Sequence, residues 1–311
     1  MPKLVHQDLV LHYQSAGDGD AVVLIHGLGA NLAFWFMSVG RTLARRYRII
    51  TYDLRGHGAS AMPRRGYQLP DMVEDLRQLL DYLGVQRAHI VGHSFGARVG
   101  LAFTVTHPER VATLTVADTQ LRCLQPPMSL REWPHWPKWR AELEAQGHKG
   151  LPDDREVITF ELLAHFNQIA PGLANTGVKR TRVAPSLRRR DMGRRGAARW
   201  TRLMSNTSAR EEFADERPLT VETIRAIRAP TLAVFGELSH CMPSCERLRQ
   251  LLPGCQVAIV PEAGHFHPAV KPLRFARILD SFLVQHVSGA IENRDPIENL
   301  LPHDGSATRL G

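Results

Sequence analysis

No stretch of the 311-residue chain approaches the roughly 18 uninterrupted apolar residues that a membrane span requires. The opening "MPKLVHQDLV" lacks the apolar centre of a secretory signal. A cytoplasmic protein without an integral membrane segment is therefore expected. Cysteine is scarce: Cys123, Cys241, Cys245 and Cys255, irregularly spaced in so long a chain, make no disulfide framework and read as free thiols. His240, Cys241 and Cys245 lack the second cysteine pair of a zinc site, so no metal and no cofactor are expected. Acidic residues are short in one region only. Between Thr119 and Arg228 stand 20 Lys and Arg against 13 Asp and Glu, a net of +7 within a chain total of +8. The densest part, Lys179 to Trp200, has nine basic residues and one acid.

With 43% hydrophobic and 23% charged residues, the composition is that of one globular unit of catalytic size. Short apolar runs organise the first part: "AVVLIHG" (21–27), "YRIITYDL" (47–54), "RAHIVGHS" (87–94) and "RVATLTVAD" (110–118). Between them lie amphipathic stretches such as "LPDMVEDLRQLLDYLG", where Met72, Leu76, Leu79, Leu80 and Leu83 repeat at three-and-four spacing and Gly84 supplies the stop. That alternation predicts a mostly parallel sheet with helices on both faces. Regularity lapses for about a hundred residues, with only weak helical patterns such as "DREVITFELLAHFNQI", and resumes at "APTLAVFGE" (229–237), "CQVAIVPEAGH" (255–265) and "KPLRFARILDSFLVQHV". The reading is a core of 1–118 and 229–287, an inserted largely helical cap at 119–228, and a loosely attached extension at 288–311.

Chemistry concentrates in three short motifs. "GHSFG", Gly92 to Gly96, ends a strand and opens a helix, the context in which the chain must turn sharply and Ser94 is left projecting over the sheet edge. "HGLGA", His26 to Ala30, follows the first buried strand, and its glycines let the amides of Leu28 and Phe95 converge on a developing oxyanion. "PEAGHFHP" places His265 after the last apolar strand as general base toward Ser94 and acid toward the leaving group, with His267 nearby but restricted by the following proline. These motifs, with "DLRGHGAS" (53–60), resemble the α/β-hydrolase superfamily in order and spacing over residues 5 to 287. The resemblance implies an eight-stranded mostly parallel sheet, a nucleophile after strand five, a cap after strand six, and largely structural roles for Arg55, Gly56, His57 and Gly58.

One motif departs from the family. The acid usually ends strand seven as Gly-x-x-Asp, which here falls on Ser239 in "FGELSHCMPS". A hydroxyl cannot stabilise an imidazolium as a carboxylate does. Two carboxylates remain in reach: Asp118, closing strand six in "VADTQ", and Glu237, two residues before the vacant position. Adjacent strands lie ~4.8 Å apart, so either strand end can approach one histidine. Asp118 is preferred, because Glu237 sits lower in its strand; a decayed site with no acid is the third alternative.

The cap carries the specificity expectations. In "EWPHWPKW", Trp133, Trp136 and Trp139 stand three apart among prolines, which predicts a polyproline II segment with the indoles on one face. That face either lines an apolar pocket or packs the cap onto the core. His26, Phe34 and Trp35 are further pocket candidates. The basic segment is a solvated surface or attracts an anionic substrate group, such as coenzyme A or an acyl carrier protein; no nucleic-acid-binding module is present, so no nucleic acid is expected. The expectation is thus a serine hydrolase of a small-molecule acyl ester or thioester. The alternatives are carbon–carbon bond hydrolysis or acyl transfer on the same triad, or a non-hydrolytic lyase, cyclase or ligand-binding relative. Epoxide hydrolases and haloalkane dehalogenases, which resemble this chain, carry Asp where Ser94 stands.

Overall fold

The apolar runs and amphipathic stretches close into one eight-stranded sheet in the computed structural model, which describes residues 2–6, 9–159, 162 and 187–287. The strands are β1 Lys3–His6, β2 Leu9–Ala16, β3 Ala21–Ile25, β4 Arg48–Tyr52, β5 Ala88–His93, β6 Val111–Ala117, β7 Thr231–Gly236 and β8 Gln256–Val260. Their order is β1-β2-β4-β3-β5-β6-β7-β8, with β2 antiparallel to β1 and β4 and all other neighbours parallel. The fold class expected from the sequence is therefore the one observed. The β1–β2 hairpin was not readable from the apolar runs, because β2 is only partly buried, with three buried residues between half-buried and exposed ones.

Both sheet faces are covered, which is why the central strands read as continuous apolar runs. Successive residues of β3 divide between two cores: Val23 and Ile25 face one, Val22 and Leu24 the other. Helices α1 Leu69–Tyr82, α2 Phe95–Thr106 and α5 Met242–Leu251 pack into the first core, and α6 Pro272–Leu283 into the second. In α1 the Gln68 amide donates to Asp71 (3.0 Å), Pro70 occupies the first turn, and Gly84 takes the positive φ of 66° that ends the helix.

Between β6 and β7 lie α3 Trp136–Ala145, α4 Leu187–Asn206 and the shorter helices Ala209–Glu212 and Val221–Arg225. The polyproline II expectation for "EWPHWPKW" fails. Pro137 falls in the first turn of α3, where a missing N–H costs nothing, so the tryptophans straddle the start of an α-helix. Trp133, Trp136 and Trp139 are buried with Leu130, Leu143 and Ile158, and Trp133 meets Trp139 edge-on at 4.6 Å. They pack the insertion. The weak helical pattern from Asp154 is turn and β-bridge through Thr159. Residues 179–186 of the basic segment and the extension 288–311 lie outside the described residues. Among the described residues no helix is long and apolar enough to cross a membrane, and all four cysteines are free thiols.

Candidate active site

Ser94 sits at the turn between β5 and α2 with φ 55° and ψ −122°, a strained backbone for a residue with a side chain. Close packing imposes it: a Cβ at Gly92 would strike the Gly96 carbonyl, and one at Gly96 would strike that of Ile25. Both glycines of the motif are thus required by backbone approach. The turn lifts Ser94 Oγ to 3.0 Å from His265 Nε2.

His265 Nδ1 lies 2.9 Å from Asp118 Oδ1. Asp118 follows β6, is fully buried and holds φ 49°. Burial alone would raise its pKa, but the hydrogen bond and charge of His265, with the Gly236 amide, hold it below the usual carboxylate range. The Gly236 amide donates to Oδ2 (2.8 Å), and Ser239 Oγ donates to Oδ1 (2.5 Å). Ser239, which stands where the family's acid is expected, therefore touches the carboxylate from the adjoining strand. Glu237 takes no part: it is exposed and accepts from the Glu262 amide at 2.7 Å.

The surroundings fix the imidazole. His93 is buried and its pKa pushed well down, mainly by that burial, so its neutral ring donates from Nε2 to the His265 carbonyl at 2.8 Å. Phe34 stacks on His93 at 4.9 Å, and Trp35, fully buried, contacts Phe34 edge-on. These two aromatics buttress the ring behind the site and do not line its cavity, contrary to expectation. His26 is also a brace: its Nδ1–H donates to the Gly27 carbonyl (2.7 Å) and its Nε2 accepts from the Leu54 amide (3.1 Å). Arg55 anchors the "DLRG" loop through Asp75 on α1 at 2.5 Å. His267 is buried, hydrogen-bonded to the Val234 carbonyl (3.1 Å) and lowered by burial to about 4.

A cavity of about 310 Å³ opens over Ser94 and His265. Leu28, Phe95, Trp200, Met204 and Phe213 give it an apolar wall, and none of Trp133, Trp136 and Trp139 reaches it. Trp200, Met204 and Phe213 had no sequence signal, since α4 and the chain after it reach the site only through the tertiary fold. Phe95 begins α2, so its N–H has no acceptor one turn earlier. The loop carrying Leu28 runs close beside it: a Cβ at Gly27 would lie 3.0 Å from that of Ser94.

The thiol of Cys241 lies 3.4 Å from His240 Nε2 and 3.8 Å from His265 Nδ1, and these three ligand atoms fall within 4.8 Å of one another. Cys245, grouped with them by sequence, is not part of that trio. A metal held there would have to take His265 Nδ1 from Asp118.

A family model described as alpha/beta hydrolase fold matches residues 20–272. A protein of Variovorax paradoxus (strain S110) called putative carbamate hydrolase RutD is 31% identical over 297 residues, covering 88% of this chain and 96% of that protein. One of the same name from Caulobacter sp. (strain K31) is 38% identical over 288 residues, covering 88% and 94%. Among solved structures, a thermophilic esterase from Thermogutta terrifontis superposes with a TM-score of 0.64 at 21% identity, covering 93% of this chain and all of that one (100%); so distant a likeness bears on the fold alone. On these matches and this sheet order, the chain belongs to the alpha/beta hydrolase fold family and is a hydrolase.

Proposed function

We propose that the protein cleaves an ester or thioester through an acyl-enzyme intermediate. The observation that carries this reading is the continuous relay from Ser94 Oγ to His265 Nε2 (3.0 Å) and from His265 Nδ1 to Asp118 (2.9 Å). Ser94 Oγ attacks the substrate carbonyl while His265 Nε2 takes its proton. The oxyanion is held by the amides of Leu28 and Phe95. His265 then returns the proton to the departing oxygen or sulfur, leaving the acyl group on Ser94. Water, deprotonated by the same nitrogen, attacks the ester, and the carboxylic acid leaves with Ser94 restored. Asp118 stays ionised throughout and holds the imidazole in the Nδ1–H tautomer. Displacement of halide through a carboxylate ester intermediate is disfavoured, because the nucleophile position carries a hydroxyl.

The relatives named carbamate hydrolases favour one further substrate class. A carbamate carbonyl lies between oxygen and nitrogen and would be attacked by Ser94 in the same way. The test is a panel of p-nitrophenyl esters, acyl thioesters and carbamates of graded chain length. Hydrolysis of at least one class, lost in Ser94→Ala, is expected; no turnover across all three would sink the reading.

A further inference from the structure

The cavity over Ser94 combines its apolar wall with Arg98, Arg122 and Arg210, and among the described residues that line it there is no Asp or Glu. Arg98 is already neutralised, its guanidinium 3.0 Å from Glu216 Oε1 and donating to the Gln120 carbonyl at 3.1 Å. Arg122 gives its backbone amide to Glu216 Oε2 (2.8 Å), a contact in which its guanidinium takes no part. Both Arg122 and Arg210 are exposed, and among the described residues neither guanidinium has a carboxylate within 4.0 Å. Other arginines of the fold do: Arg46 is paired with Asp280, Arg55 with Asp75, and Arg217, seven positions past Arg210, with Asp215.

Two guanidiniums with no carboxylate partner among the described residues, set on a concave, apolar-walled opening, concentrate positive potential at the place where substrate enters. Their planar donor forks match a carboxylate. We propose that the substrate bears a carboxylate, held by Arg122 and Arg210 while its scissile carbonyl lies over Ser94 and its apolar body rests on Phe95, Trp200 and Phe213. This rests on the hydrolase reading above and names its substrate class: a half-ester or half-thioester of a dicarboxylic acid, or a comparable acidic acyl ester.

Binding, measured by titration calorimetry on the Ser94→Ala protein, separates this proposal from that reading. The probes are monobenzyl glutarate and benzyl valerate, which share chain length and differ in the terminal carboxylate. Monobenzyl glutarate is expected to bind at least about tenfold tighter at low salt, with the preference shrinking as ionic strength rises. Arg122→Gln with Arg210→Gln removes most of the preference, and the paired Lys variants, which keep the charge, retain part of it. Equal binding of the two esters, or a preference that survives the double Gln variant, overturns the proposal. Coenzyme A is titrated alongside; tight binding of its phosphates without binding of monobenzyl glutarate also overturns the carboxylate assignment. Turnover of an ester by Ser94→Ala would instead overturn the serine hydrolase reading, leaving the binding comparison intact.

Discussion

Asp118 is completely buried and still ionised because the hydrogen bonds converging on its two oxygens come from three directions: His265, the Gly236 amide and the Ser239 hydroxyl. If that carboxylate orients His265, replacing it with an amide that favours the wrong tautomer is costly. Asp118→Asn is expected to lower kcat by about 10⁴, as in other serine triads. Glu237→Gln, at an exposed side chain that accepts from the Glu262 amide, should stay within about twofold of wild type on the same assay. Comparable losses in the two variants would contradict the assignment. Ser94 and His265 were legible in the sequence because each lies in a motif of a few residues whose backbone demands are local. The acid was legible only as a preference for Asp118 over Glu237, since Asp118 and His265 are 147 positions apart and the choice turns on where two strand ends stand.

At the scale of elements, β6 and β7 are parallel neighbours, with Ala117 opposite Val234, and this register sets Asp118 beside the turn that follows Gly236. Ser239 is therefore a brace, linking the carboxylate to the start of α5 through the Cys241 amide, which donates to its Oγ at 3.1 Å. Ser239→Ala removes a donor to a buried charge and should cost about 1.5–3 kcal/mol of stability by denaturant titration, with a parallel fall in kcat. Unchanged stability and rate would show that the contact carries nothing. Strands β3 to β7 were visible as apolar runs to within a residue or two, because both sheet faces are buried there. The tryptophans misled for a physical reason: proline spaced near a helix start and proline in an extended helix look alike locally, and only the packing of Leu130, Leu143 and Ile158 around the indoles decides between them.

For the molecule as a whole, buried histidines couple stability to pH. Burial lowers His57 and His240 to about 3 and His89 and His267 to about 4, whereas an unfolded histidine titrates near 6.5. Between those values the unfolded chain binds more protons, so stability falls as pH drops below about 6.5, by up to about 1.4 kcal/mol per pH unit for each such histidine. Asp118 works in the same direction at lower pH: its folded pKa is depressed, so its contribution is complete above about 3.9 and fades as pH falls beyond that. Urea midpoints should be nearly level at pH 7.5 and decline steadily from about pH 6.5 to 5. A flat profile would mean that these rings are solvated or protonated in the fold.

The central claim is that Ser94 is a nucleophile activated by His265, and a fluorophosphonate probe reads that reactivity without knowledge of the substrate. Mass spectrometry of the labelled wild-type protein should find one adduct, on the peptide containing Ser94, and none on Ser94→Ala. A wild-type protein that fails to label, or an Ser94→Ala variant that labels equally well, would contradict the account.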